Sequence, residues 1–270
     1  MNKLWAIAVI TYKEGIRNRA LYGISILAVL LLAANQLICS MIPRDVGKVS
    51  VDLSLSAVAF AGLLVVLFVG INLMAKDLDR KTIYMVLSRP VSRAQYLVGK
   101  FIGLALIICV SMALLGACAA ASIFLTKLNY PTFFDRFAWS GIFTSMVFST
   151  LMLLLLAALS FLFASFASNS FVTLVLTIAT YLIGQVTGDV KALVEAPAVV
   201  GIQVSAITTA LVKSAYYVFP NLALFDLKIQ AAHGLPVTGS YMVWTVCYWC
   251  FYLVMALTFA TLIFRKREFP

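Results

Sequence analysis

Charged residues are scarce in this sequence: Asp, Glu, Lys and Arg together make up 11% of its 270 residues, whereas 63% are hydrophobic. The mean hydropathy is +1.05. Soluble globular domains carry about 25% charged residues. The composition therefore excludes a soluble enzyme or soluble binding domain and indicates a protein that lies in a membrane.

Residues for catalysis and nucleotide binding are also few. His233 is the sole histidine, and no acid pair or nucleophile–base pair falls within a long apolar run. The phosphate-binding pattern G-x-x-x-x-G-K-[ST] is missing, because Gly99-Lys100 is followed by Phe101 and residue 94 is alanine. We predict that the chain is not an enzyme and that it binds no ATP, metal or other cofactor itself.

The five cysteines do not form the pattern of a disulfide framework, since all lie in apolar runs. Cys247 and Cys250 have the C-x-x-C spacing of metal and redox sites. Neither a second pair nor a histidine lies near them in the sequence, so we interpret them as small apolar residues.

Long apolar runs dominate the chain, and crossing a bilayer takes about 20 helical residues. We predict an all-α polytopic membrane protein with one transmembrane domain over residues 1–270. Its six predicted spans are Leu21–Ser40, Leu53–Ala75, Phe101–Leu125, Gly141–Phe163, Phe171–Gly188 and Tyr241–Phe264.

A seventh span is the alternative for Ala198–Val218, which is mostly apolar. Gln203 and Lys213 make it a poor span, and it would move the basic C-terminal tail to the other side of the membrane. We therefore interpret residues 188–240 as an extracytoplasmic segment with outer-leaflet or re-entrant helices before the sixth span.

Residues 1–19 have the pattern of an amphipathic helix. Lys3, Lys13, Glu14 and Arg17 fall within an arc of roughly 100° on a helical projection. Trp5 lies with apolar residues on the rest of the helix surface, where it could anchor the helix in the membrane interface. A signal peptide is the alternative, but charged residues stand where its small-residue cleavage site should be. We predict an elbow helix in the membrane interface.

The formal net charge of +10 is explained by topology rather than by nucleic-acid binding. Bases are concentrated in residues 1–19, 76–100 and 265–267, whereas bases elsewhere are nearly balanced by acids. The positive-inside rule places the base-rich segments in the cytoplasm. We predict a multi-pass protein of the inner (cytoplasmic) membrane with both termini cytoplasmic.

Residues 76–100, KDLDRKTIYMVLSRPVSRAQYLVGK, form a polar island between the second and third spans. Residues 77–87 contain neither glycine nor proline and predict a short helix. Pro90 disfavours helical geometry at Arg89 and marks a break. Ser92 followed by Gln95 has the spacing of a capping box, so a new helix should begin there.

One face of the short helix carries Arg80, Ile83, Tyr84 and Leu87, because residues three and four apart are neighbours on a helix. Leu78 lies on roughly the opposite face. Apolar residues on two sides of a helix held outside the lipid fit a helix clamped between the membrane bundle and a soluble partner. An ordinary charged loop between two spans is the alternative from pattern alone.

The island resembles the first cytoplasmic loop of ABC-2 type transporter permeases, the membrane subunits of ATP-binding-cassette exporters. A common family form has an acidic residue and a glycine just before the threonine, where this chain has Arg80 and Lys81. The matching residues are Thr82, Leu87, Ser88, Pro90, Val91, Ser92, Arg93, Gly99 and Lys100.

In that family the loop contains a coupling helix that docks into a groove on the ATPase subunit. The resemblance therefore implies a set of ATPase-coupling residues in this chain. They are Asp77, Leu78, Asp79, Arg80, Lys81, Thr82, Ile83, Tyr84, Leu87, Arg89, Pro90 and Arg93.

The resemblance also implies that the permease pairs with a second permease chain, either an identical copy or a related one. Two copies of a separate ATPase subunit, which holds ATP and Mg, would bind beneath this pair. Export is the implied direction. A rival function is a non-transporting mechanical or assembly subunit that transmits ATPase motion to a periplasmic partner. An ion-coupled transporter is disfavoured, because no acid lies in a span.

Four amides fall within predicted spans, where polar groups are costly and often functional. They are Asn35, Gln36, Asn72 and Gln185. Two interpretations stay open for them: hydrogen bonds between helices, or the lining of a substrate pathway.

Overall fold

The computed structural model describes residues 3–41, 44–73, 92–134, 137–167, 169–195 and 218–266, together with residues 209 and 214. These residues form helices and connecting turns, and the all-α prediction is confirmed. The helices are α1 Lys3–Ile16, α2 Arg19–Met41, α3 Val46–Leu64, α4 Arg93–Asn129, α5 Trp139–Phe166, α6 Ser170–Glu195, α7 Lys228–His233 and α8 Gly239–Lys266.

Among the described residues, six helices are long and apolar enough to cross a membrane, and they correspond to the six predicted spans. The second span continues beyond α3 through a π-helical turn, Val65–Gly70, as far as Leu73. In α6 the part long and apolar enough to cross the membrane is Ser170–Gly188. The remaining four spans are α2, α4, α5 and α8 over their full lengths.

Successive spans run in opposite directions and give the bundle two ends. We call the end where residues 74–91 join the second span to α4 the loop end, and the opposite end the far end. Eight bases and one acid among the described residues lie at the loop end: Lys3, Lys13, Arg17, Arg19, Arg93, Lys100, Arg265, Lys266 and Glu14. The described part of the chain thus has the charge asymmetry that the sequence predicts.

The centre of the bundle is formed by α3, α4 and α5. Leu155, Leu156 and Ala158 of α5 are 0% exposed, as expected of a helix that is apolar all round. In contrast, α8 leaves Trp244 and Phe251 mostly exposed. That helix therefore lies at the periphery, against lipid or another protein.

The described part of residues 188–240 folds back onto the far end of the bundle. A 3₁₀ turn, Leu222–Phe225, buries both of its terminal side chains completely. The Tyr241 hydroxyl donates to the Leu224 carbonyl (2.7 Å), and the Tyr248 hydroxyl accepts from the Asn221 N–H (2.8 Å). The turn is therefore held by α8. Most of Ala198–Val218, the alternative seventh span, lies outside the described residues.

One boundary differs from the sequence prediction. The second span is predicted to begin at Leu53, yet α3 begins seven residues earlier, at Val46. Asp45, directly before α3, has a φ of 56°, in the left-handed region that aspartate tolerates. Val46, Ser50 and Val51 are buried. The extra turns are helical because neighbouring helices cover residues that look like loop residues in the sequence.

The third span is also longer than its apolar run. At 1.5 Å per residue, the 37 residues of α4 extend for about 55 Å, well beyond a hydrocarbon core of about 30 Å. Its first turns, residues 92–103, lie at the loop end between α1, the end of the second span and the end of α8, and we call them the stalk of α4. The stalk follows directly on residues 74–91, and its residues 92–100 belong to the predicted coupling loop.

Candidate functional site

Of the twelve predicted coupling residues, only Arg93 is described. Asp77, Leu78, Asp79, Arg80, Lys81, Thr82, Ile83, Tyr84, Leu87, Arg89 and Pro90 lie outside the described residues. Their role stays a prediction. What the structure describes is where residues 92–103, the stalk of α4, make their contacts.

The stalk begins with the predicted capping box. The Ser92 hydroxyl accepts from the Gln95 N–H, and the Gln95 side-chain oxygen accepts from the Ser92 N–H, each at 3.2 Å. Two N–H groups that the first helical turn leaves without backbone partners are thereby satisfied. The prediction that a new helix starts here is confirmed.

Arg93 joins the start of α4 to the end of α8. One guanidinium nitrogen donates to the carbonyls of Arg265 (3.0 Å) and Phe264 (3.4 Å). One turn further along α4, the Tyr96 ring stacks on the Phe264 ring with centroids 6.2 Å apart. A guanidinium at a helix C-terminus satisfies free carbonyls and favours the helix dipole. The sequence shows no sign of this contact.

We expect Arg93→Ala to fray the last turn of α8. The loss of a partly exposed charge-assisted bond should cost about 1 kcal/mol, and the amides of residues 264–266 should exchange about fivefold faster. Hydrogen exchange of the purified protein checks this. Arg19→Ala is the matched control, because Arg19 is an exposed base at the same end. Equal exchange in the two variants would contradict the structural role of Arg93.

Lys100 joins α4 to the end of the second span. Its side chain is only 5% exposed, and its ammonium donates to the Leu73 carbonyl and lies 5.5 Å from the centre of the Tyr96 ring. A buried ammonium is tolerated only with such partners. Sequence reasoning placed Lys100 at the edge of a polar loop. Its position eight residues after an N-cap was the signal that it lies inside a helix.

The elbow helix packs against the same stalk. A Cβ atom added at Gly103 would lie 2.6 Å from Thr11 Cβ and 2.7 Å from the Ala8 carbonyl oxygen. One added at Gly99 would lie 2.9 Å from Ile7 Cβ. The G-x-x-x-G pattern thus lets α1 and α4 approach closely. The helix at residues 3–16 is confirmed, and its interfacial position stays a prediction.

Two of the four predicted amides meet near the far end. The Asn35 amide donates to hydroxyls of Ser50 (3.2 Å), Ser54 (3.0 Å) and Ser122 (3.4 Å). The Gln36 amide donates to the Ser122 carbonyl at 2.7 Å. These bonds join α2, α3 and α4, and Asn35 is only 1% exposed. The geometry fits the hydrogen-bonding interpretation for this pair.

The other two amides lie elsewhere. Asn72 is exposed and donates to the Phe68 carbonyl of its own helix. The Gln185 amide contacts the Met152 sulfur at 3.4 Å, between α6 and α5. Both lie apart from the Asn35–Gln36 pair in their contacts, and a pathway role for the four amides stays a prediction.

A pocket of about 440 Å³ opens at the far end and combines aromatic rings with charges. Lys48 pairs with Asp45 at 2.8 Å and lowers the pKa of that carboxyl group. Phe133, Phe137 and His233 complete much of the wall. In the described part of the chain, no three His, Cys, Asp or Glu residues come close enough to hold a metal.

Comparisons with known proteins point to one family. A family model described as "ABC-2 family transporter protein" matches residues 5–269. The chain is also similar to the "Probable ABC transporter permease protein NosY" of Stutzerimonas stutzeri, with 28% identity over 127 residues, which is 46% of each chain. The chain thus aligns with about half the length of this relative. Because the family model covers almost all of its residues, the chain belongs to the ABC-2 family of transporter proteins and is a membrane-spanning permease subunit.

Proposed function

We propose that this permease exports a substrate using ATP hydrolysed by a separate subunit, which docks on residues 76–100. The observation that carries the proposal is the set of contacts of the α4 stalk. Arg93 contacts the end of α8, Lys100 contacts the end of the second span, and Gly99 and Gly103 hold α1. A displacement of the preceding loop would be passed directly to three other elements.

The charge distribution supports the orientation in this proposal. The loop end carries most of the bases among the described residues, and cytoplasmic segments of membrane proteins are rich in Lys and Arg. The loop end and both termini therefore face the cytoplasm of a cell whose inner membrane holds the protein. There the loop is accessible to an ATPase.

The assembly that follows has two permease chains, identical or related, and two ATPase subunits that hold ATP and Mg. Closure of the ATPase pair on ATP would push on the two coupling helices. Through the stalk, this motion would tilt the spans and alternate access to the substrate. This chain contributes no catalytic group to hydrolysis.

We expect Ile83→Asp or Tyr84→Asp to release the ATPase and abolish transport. Interfaces depend on a few buried apolar anchors, each costing about 2 kcal/mol or more when truncated, and an aspartate there would lose its hydration without gaining a partner. Lys76→Ala is the matched control, since exposed ion pairs contribute only about 0–1 kcal/mol. The measurement is ATPase co-purification alongside transport in cells at equal membrane expression.

Wild-type assembly and transport in both aspartate variants would show that this helix is not the coupling element. The mechanical function would be supported by a different set of results for the wild-type chain. The ATPase would co-purify and loss of the permease would have a phenotype, but no substrate would be transported and a periplasmic protein would stay bound to the complex.

A further inference from the structure

An apolar groove of about 320 Å³ runs along the outside of the bundle near the loop end. It lies between the last turns of α1, the first turns of α2 and the middle of α4. Four of its wall residues carry hydroxyls, Tyr12, Tyr22, Ser25 and Ser111, and the Ser25 hydroxyl donates to the Leu21 carbonyl at 2.9 Å. Among the residues that line it are Tyr12, Ile16, Tyr22, Val29, Leu114 and Cys118.

The shape of the groove suits an elongated apolar guest. On α4 its wall extends from Ile107 to Cys118, which is about 16 Å of helix at 1.5 Å per residue. Tyr22 is 56% exposed and Leu114 is 64% exposed, so the groove opens sideways toward lipid. A guest would lie parallel to the spans, in the leaflet at the loop end.

Three bases lie near the loop-end mouth of the groove. Lys13, Arg17 and Arg19 are exposed and lie at or beside the turn between α1 and α2, whose residues Ile16 and Leu21 line the groove. None of the three forms an ion pair with another described residue, and Glu14 is the one acid that the structure describes at this end. Bases at this depth attract anionic headgroups by about 1 kcal/mol each.

We propose that this groove is a binding site for an anionic phospholipid. One acyl chain fills the groove, and the phosphate is held by Arg17 and Arg19. Because Tyr12 and Ile16 belong to α1 whereas the opposite wall belongs to α4, the lipid packs between the elbow helix and the bundle. The lipid acts as a structural ligand, and the site does not depend on the transport proposed above.

Lipid binding to the purified full-length protein, followed by native mass spectrometry, tests the proposal. The probes are phosphatidylglycerol and phosphatidylcholine with identical acyl chains. We expect phosphatidylglycerol to bind at least tenfold more tightly. The double variant Arg17→Gln with Arg19→Gln should weaken phosphatidylglycerol binding by about 10- to 30-fold and leave phosphatidylcholine binding unchanged.

Filling the groove tests the position of the acyl chain. Ser111→Phe, or Cys118→Phe if the first variant does not fold, should weaken the binding of both lipids. Leu30→Phe is the matched control, because Leu30 is 61% exposed on α2 and does not line the groove. Arg44→Gln with Lys48→Gln controls for charge at the far end.

Two outcomes would overturn the proposal. Equal affinity for the two lipids, or no effect of the paired arginine changes, would show that the bases do not hold a headgroup. A groove-filling variant that separates two permease chains without changing lipid binding would show that the groove is a subunit interface instead.

Discussion

Gly103→Ala is expected to loosen the elbow helix from the bundle and to lower the free energy of unfolding by about 1–3 kcal/mol, the usual cost of forcing atoms into a packed contact. The added methyl group would lie 2.7 Å from the Ala8 carbonyl oxygen and 2.6 Å from Thr11 Cβ. Neither atom is the end of a flexible side chain, so α1 as a whole must move. Gly103→Val should give a larger loss.

Gly23→Ala is the matched control, because nothing lies within 4 Å of a Cβ added there. It exchanges the same residue types inside α2. Because alanine has a higher helix propensity than glycine, the free energy of unfolding should be unchanged or raised by up to about 1 kcal/mol. The measurements are the Tm of each purified variant and the rate of proteolysis within residues 1–16. Equal Tm values and equal cleavage would contradict the close packing of α1 on α4.

Asn35→Leu is expected to separate the far ends of three spans. The Asn35 amide has two hydrogens and shares them among hydroxyls of Ser50, Ser54 and Ser122. Hydrogen bonds between helices in a membrane contribute about 0.6–2 kcal/mol each. The three hydroxyls recover part of this by bonding to their own helices, so we expect a net loss of about 1–2 kcal/mol.

Asn72→Leu makes the same change at an exposed amide that bonds within its own helix, and we expect it to have little effect. Tm and transport are measured for both variants. If Asn35→Leu lowers Tm and transport together, the amide joins helices. If transport is lost while Tm is unchanged, Asn35 lines a pathway and the hydrogen-bonding interpretation is wrong.

Features that depend on neighbouring residues could be predicted from the sequence. A run of about 20 apolar residues must cross a bilayer in some position, so the six spans required no knowledge of their partners. The Ser92–Gln95 capping box joins residues three apart and was predictable for the same reason. The loop-end excess of bases follows from where the bases lie along the sequence relative to the spans. The coupling helix itself stays a prediction, because its residues lie outside the described ones.

Contacts between distant residues could not be predicted, because apolar spans carry little information about which faces meet. Arg93 and Phe264 are 171 residues apart, and Asn35 and Ser122 are 87 apart. The G-x-x-x-G spacing of Gly99 and Gly103 is compatible with a close helix contact but does not say that the partner is α1. The buried state of Lys100 likewise depends on where the Leu73 carbonyl ends the second span.

The sequence by itself determined that this chain is an all-α polytopic membrane protein with one strongly basic end, because both properties are set by the cost of placing each segment in lipid or water. Only the tertiary structure decided that the start of α4 is where α1, the second span and α8 meet. Three contacts bring them together: α1 packs closely on Gly99 and Gly103, the Arg93 guanidinium donates to carbonyls at the end of α8, and the buried Lys100 ammonium donates to the Leu73 carbonyl. Each of these contacts needs a partner from another helix.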